Sequence, residues 1–434
     1  MQFASAFRIG LGIACVALAG TASAIDDYDQ PPINYRDSKP TDPIAQLQKR
    51  VHAGEVKLDW DPTHGYLAAV LKQLKISLSS QVLVFSKTSL QRSKIAPDRP
   101  RAIFFNDEVY IGTCVDGEVL EVSSTDPLLG TVFYTLDQKP ADRPEFRRQT
   151  AKCTLCHASG QTRHVPGHLV RSVFSRDSGE PVFSAGTYRT NQDSPFEERW
   201  GGWYVTGTHG SMRHMGNLVV REGEDAESAS LDGGANVTDL KGRFDFDRFL
   251  SPHSDIVALM VLEHQTDMHN LITAAAFQTR IAMEYNAMMN GMDQRPKEEM
   301  RPSTLSRIRS VCEPLVRYML FADEVLLKDP VTGTSGFAEA YAAMGPRDAK
   351  GRSLRDLDLR RRMYKHPCSP LIYGEAFDRL PAEAQGMIYR RLWEVLTGRD
   401  TTPAFARLNA QERRAALEIV RATKSGLPAY WAQD

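Results

Sequence analysis

Hydrophobic positions along this chain change their period from one stretch to the next, and the changes divide it. Ile44 to Val51 and Gly65 to Ile76 carry apolar residues at helical spacing, with Leu67, Val70, Leu71 and Leu74 on one face. The period then shortens. Gln81-Val82-Leu83-Val84-Phe85 reads as a buried strand, and Ala102–Phe105 with Val109–Gly112 flank Asn106-Asp107 as a hairpin. Asp116-Gly117 marks a turn before Val119–Val122, and Thr131–Thr135 is one more strand. Residues 25–145 are therefore expected to form an α+β unit with an antiparallel sheet, closed by a linker-like break at Asp137–Glu145 (DQKPADRPE).

Residues 146–235 show glycines, aromatics and short strand-like pieces, with a turn at Val165-Pro166-Gly167 and a strand entered through Trp200-Gly201-Gly202-Trp203, so β-hairpins are expected there. Glu222 to Asn236 reads as an acidic, glycine-rich surface loop. Residues 236–434 turn helical. Ser251 or Ser254 is placed to cap a helix running to about Asn290, in which Val257, Val261, His264, Met268, Leu271 and Ala275 share a face. Glu263, Thr266, Asp267 and Asn270 fall away from that stripe. Further helices are expected over 303–312, 314–327 (started by Pro314), 384–397 and 410–423, the last with an Asn409/Glu412 capping box. The fold class expected is α+β: an N-terminal antiparallel sheet unit, a central segment with hairpins and a mostly helical C-terminal half.

The first 24 residues have the form of an export leader. Arg8 precedes the apolar run Ile9–Ala19, and Ala22-Ser23-Ala24 is an A-x-A cleavage site. Cys15 suggests lipidation, but Gly12 stands where a lipobox wants a bulky aliphatic residue. No later segment is apolar for the ~18 residues of a membrane span. The expectation is a periplasmic or secreted protein without an integral membrane span. A net charge of −1 argues against nucleic acid as a partner.

Candidate chemistry concentrates at Cys153-Thr154-Leu155-Cys156-His157. C-x-x-C-H is the attachment signature of a c-type haem: two thiols add to the porphyrin vinyl groups and the histidine becomes the proximal iron ligand. A thioredoxin-like pair would need a βαβ context that the pattern lacks, and a zinc site would need a second ligand pair. The expected cofactor is one covalent haem c on Cys153 and Cys156, with His157 on the iron. Removing Cys15 with the leader leaves Cys114, Cys312 and Cys368 over, and Cys312 with Cys368 is the expected disulfide, leaving Cys114 free.

Residues 147–221 carry ten Lys/Arg against five Asp/Glu, and Arg171, Arg199 and Arg213 are candidates to pair with haem propionates. The sixth iron position has several candidates. His264 lies on the apolar helical stripe, His214 and Met215 lie in a glycine-flanked loop, and another residue such as His209, or water, is the remaining alternative. His269 is about 140° around the helix from His264, so both cannot serve one iron. At least one of Trp200 and Trp203 is expected to pack on the porphyrin.

Several strings resemble a family of secreted bacterial cytochrome c-like proteins with a single haem-c motif. They are Val82–Gln91, Pro100-Arg101-Ala102, Arg199–Gly207, Leu262-Glu263-His264-Gln265 and Glu394-Val395-Leu396-Thr397-Gly398. The resemblance runs over nearly the whole chain after the leader and implies one integrated unit, but carries over only Cys153, Cys156 and His157. The expected function is electron transfer with a redox partner protein or a small-molecule donor or acceptor. The alternative is a haem-dependent oxidoreductase or sensor with an open sixth site. No Walker loop, G-x-S-x-G, H-E-x-x-H or dinucleotide fingerprint competes.

Overall fold

A computed structural model describes residues 27–221 and 223–433. The expected leader, Cys15 included, lies outside the described residues. Two helices, α1 (Pro43–His52) and α2 (Leu67–Gln73), precede a meander of six strands: β1 (Val82–Val84), β2 (Arg101–Phe105), β3 (Val109–Thr113), β4 (Val119–Asp126), β5 (Gly130–Asp137) and β6 (Phe146–Arg148). A single helical turn, α3 (Thr154–His157), follows, then the small pair β7 (Arg171–Ser172) and β8 (Tyr188–Arg189), then β9 (Trp203–Tyr204). The remainder is helical: α4 (Ile256–Met292), α5 (Pro302–Met319), α6 (Phe337–Ala343), α7 (Glu375–Asp378), α8 (Ala382–Leu396) and α9 (Ala410–Thr423). The chain is α+β, with a seven-stranded antiparallel sheet in its first half and helices in its second.

The sheet order is β6-β5-β4-β3-β2-β1-β9, so the strand expected at Trp203 crosses back to finish the sheet beside β1. Alternation gives the sheet two different faces. Ala102, Phe104, Ile111, Leu120, Val122, Val132, Tyr134 and Leu136 join α1, α2 and the C-terminal helices in one hydrophobic cluster that runs from Tyr28 to Trp431. The opposite face carries Tyr110, Glu121, Ser123 and Phe133, with Ser123 paired in register to both Tyr110 and Phe133. Gly112 on this face is crossed by Arg101, whose guanidinium reaches Glu121 at 2.8 Å; a Cβ at 112 would sit 2.1 Å from it.

Helix α4 differs from its sequence expectation in two ways. Its cap is Asp255, whose carboxylate accepts the N–H groups of Val257 (2.8 Å) and Ala258 (3.3 Å), rather than Ser251 or Ser254. Ser254 instead donates to the Tyr204 carbonyl at 2.6 Å, tying the helix start to β9. The helix is also not one-sided: Glu263, Thr266, Asp267 and Asn270 are as buried as the apolar stripe, because protein surrounds α4 from Ile256 to Thr273. Polar residues survive there by pairing, as Asp267 does with Arg189 at 2.7 Å and Asn191 at 2.9 Å.

The helices expected on either side of Glu313 form a single helix, α5, with Pro314 inside it. Packing of Cys312, Leu315 and Val316 into the core holds the turn that the proline would otherwise break. The expected Cys312–Cys368 bridge is not formed. Both are buried free thiols, as Cys114 is, and the Cys312 sulfur is turned toward the Ala384 carbonyl of α8 at 4.0 Å. The Asn409/Glu412 capping box is present at the start of α9. No helix of the described residues is long and apolar enough to cross a membrane.

Candidate functional site

The C-x-x-C-H stretch leaves β6 and winds into the one turn of α3. Thr154 donates its hydroxyl to the Thr150 and Ala151 carbonyls, and the N–H groups of Cys156 and His157 converge on the Cys153 carbonyl at 3.2 and 2.9 Å. That turn sets the cysteines on one side, Cys156 exposed and Cys153 half-buried, while Leu155 stands 81% exposed. His157, one turn on from Cys153, is half-buried with its ring 5.0 Å from that of Phe133 on β5.

Two hydrogen bonds fix His157 against the loop that follows. Gly167 donates its N–H to the His157 carbonyl at 2.8 Å, and the Gly167 carbonyl accepts from His157 Nδ1 at 3.0 Å. A carbonyl only accepts, so Nδ1 carries the proton and the lone pair is on Nε2. Burial, helped by Arg101 and Arg171, holds the ring's pKa below its ordinary value and so keeps it neutral, against the opposing pull of the Gly167 carbonyl. Nε2 makes no hydrogen bond among the described residues. A neutral imidazole with Nδ1–H tied to a carbonyl and Nε2 free is the form that ligates a metal.

The Cys153 thiol is not poised as the attacking thiol of a redox pair. Burial first, then Glu121 and Cys156, push the Cys153 thiol up to about 11, whereas reactive Cys-x-x-Cys pairs have depressed values. Among the described residues no group of three or more His, Cys, Asp or Glu side chains is placed to hold a metal ion. A haem iron needs only one protein ligand on its proximal side, so the residues present fit a covalent haem.

The three distal candidates are placed elsewhere and are already engaged. His264 on α4 has Nδ1 2.6 Å from Gln192 Oε1 and Nε2 2.8 Å from Ser369 Oγ, and its ring stacks between Tyr318 and Phe321. His214 accepts the Gly216 N–H on Nδ1 at 3.0 Å. Burial and the neighbouring His209 hold its pKa at about 3, so the neutral ring carries its proton on Nε2 and has no lone pair there for iron. His209 is likewise engaged, accepting the Asn236 N–H on Nε2. Met215 receives the Ser172 hydroxyl at 3.5 Å and packs with Phe174, Val182 and Val220.

Of the propionate candidates, Arg199 is buried against Glu263 and the Gln192 and Ser194 carbonyls, and Arg213 pairs with Asp232. Arg171 makes no ion pair among the described residues and acts on His157 electrostatically. Trp200 packs on Phe196 and His214, and Trp203 donates its indole N–H to the Arg171 carbonyl, so each has a core role. Sequence spacing does not single out Gly167, Phe133, Arg101 or the loop's partner on α4, because their relation to His157 exists only once the sheet and α4 are assembled. Comparison with family models, curated proteins and solved structures gives no match.

Proposed function

We propose that the chain is a c-type cytochrome, carrying one haem on Cys153 and Cys156 with His157 as proximal ligand, and passing single electrons outside the cytoplasm. The observation that carries this reading is the orientation of His157: its proton is committed to the Gly167 carbonyl and its Nε2 is free, one helical turn from two thiols of which one is exposed. When bound, the group supplies reversible one-electron chemistry at its iron. The protein's part is to hold the imidazole neutral and oriented, to present the thiols, and to place Phe133 and the Arg101–Glu121 pair beside the motif.

A second reading, a haem-dependent oxidoreductase or sensor with an open sixth position, is favoured by one observation. His264, His214 and Met215 each have their ligating atom engaged or protonated. The absorption spectrum of the purified ferric protein at neutral pH separates the two. A low-spin spectrum unaffected by cyanide supports electron transfer with a filled sixth site. A high-spin spectrum with rapid cyanide binding moves the protein to the second reading.

A further inference from the structure

The loop that holds His157 is itself held from the other side. His168 follows Gly167 directly, and its backbone is clasped at both ends by one side chain of α4. The His168 N–H donates to Asn270 Oδ1 at 2.8 Å, and Asn270 Nδ2 donates to the His168 carbonyl at 2.8 Å. Gly167 fits beneath this clasp only for want of a side chain, since a Cβ there would lie 2.2 Å from Asn270 Oδ1. The same loop is pinned to β5, where Thr131 donates its N–H to the Pro166 carbonyl at 3.1 Å. The His168 ring spans Thr131 and Ser123, one nitrogen 3.1 Å from each hydroxyl, and packs 4.2 Å from Tyr110.

Two reciprocal pairs of hydrogen bonds thus stand in series, His157 with Gly167 and His168 with Asn270. An amide is suited to the second pair because it offers one acceptor and two donors in a plane, which a backbone N–H and C=O can meet together. Asn270 is 1% exposed on a helix buried on all sides, so its position is set by packing rather than by the loop. We propose that Asn270 is the positioning residue for His157: through the Gly167–His168 peptide it fixes the carbonyl that orients the imidazole and holds the proton on Nδ1. This rests on the haem reading for its consequence at the iron, though not for its effect on the histidine. Groups that hold the outer nitrogen of a ligating histidine raise its basicity and so favour the oxidised metal.

The test uses Asn270→Ala and Asn270→Asp in the full-length protein, with Thr279→Ala as a control for damage to α4 that does not touch the loop. Asn270→Asp keeps the acceptor for His168 N–H and loses the donor. Two quantities are read: the reduction potential of the purified protein, and the tautomer of His157 from its ring 15N shifts in chain prepared without haem. Asn270→Ala is expected to raise the potential, by on the order of a tenfold change in the oxidised-to-reduced ratio (~59 mV for one electron). It should also lower the Nδ1–H population of His157. Asn270→Asp should fall between it and the wild type, and Thr279→Ala should leave both quantities unchanged. If Asn270→Ala does not fold, the Asn270→Asp comparison decides alone. A wild-type tautomer and potential in the folded Asn270 variants would overturn the proposal while leaving the haem reading intact. A wild-type protein without covalent haem would overturn that reading, and the tautomer measurement would still decide the role of Asn270.

Discussion

Two histidines show how the same side chain is given different work by what its nitrogens meet. His157 spends one nitrogen on a carbonyl and keeps the other free. His264 spends both, on Gln192 and Ser369, and stacks on Tyr318 and Phe321, so it is a core residue. Replacing His264 by alanine removes a buried ring and leaves two polar partners unsatisfied, which should cost about 3 kcal/mol or more. Urea denaturation measures that loss. The ferric spectrum of the folded variant should match the wild type, and a change of spin state would return His264 to the iron.

At the scale of elements, α4 joins the two halves of the fold, packing against β5 of the sheet and against α5, α6, α7 and α8. Its N-terminus is closed by Asp255, one oxygen capping the helix and the other accepting from the N–H groups of Thr334 and Ser335 and the Ser335 hydroxyl at 2.7 to 2.9 Å. An ordinary cap is worth ~1 kcal/mol, and the further charge-assisted bonds left unmade should take Asp255→Ala to about 3–4 kcal/mol. Chemical denaturation checks this, and a loss near 1 kcal/mol would mean that the loop at 334–335 finds other partners. Strands β1 to β5 and β9, most of the longer helices and the α9 capping box were legible in the sequence because each depends on local period and turn chemistry, whereas β6, β7 and β8, two or three residues long, carry too little pattern to be read. The surroundings of α4 were not. Asn270 falls outside its apolar stripe and so reads as solvent-facing, yet it is buried, because the loop that covers it comes from a hundred residues away. The single helix α5 was obscured by Pro314, whose local preference is overridden by packing.

Over the whole molecule, buried titratable groups set the response to acid. Burial holds His214 and His264 at about 3 and, against the pull of Asp107, His269 at about 4, below an unfolded value of 6.5. Each contributes stability that is complete above pH 6.5 and is lost as pH falls toward the folded value. Burial also raises Glu263 and Glu324 to about 7, despite Arg199 beside the first, and these contribute stability that is complete below 4.5 and lost as pH rises to 7. The two sets oppose each other between about pH 7 and 4.5. Below 4.5 these two glutamates add nothing more, while the histidines still subtract up to about 1.4 kcal/mol per pH unit each. Stability should therefore fall most steeply between pH 4.5 and pH 3, as denaturation midpoints measured across pH will show; a flat profile to pH 3 would mean that the histidines are not buried neutral.

Covalent attachment of haem through Cys153 and Cys156 is tested most directly by acid-acetone extraction of the denatured protein. Protein exported by a host with haem-attachment machinery should keep one haem per chain after extraction, and Cys153→Ser with Cys156→Ser should keep none. A wild-type chain that loses all its haem, or never carries any, would contradict the account.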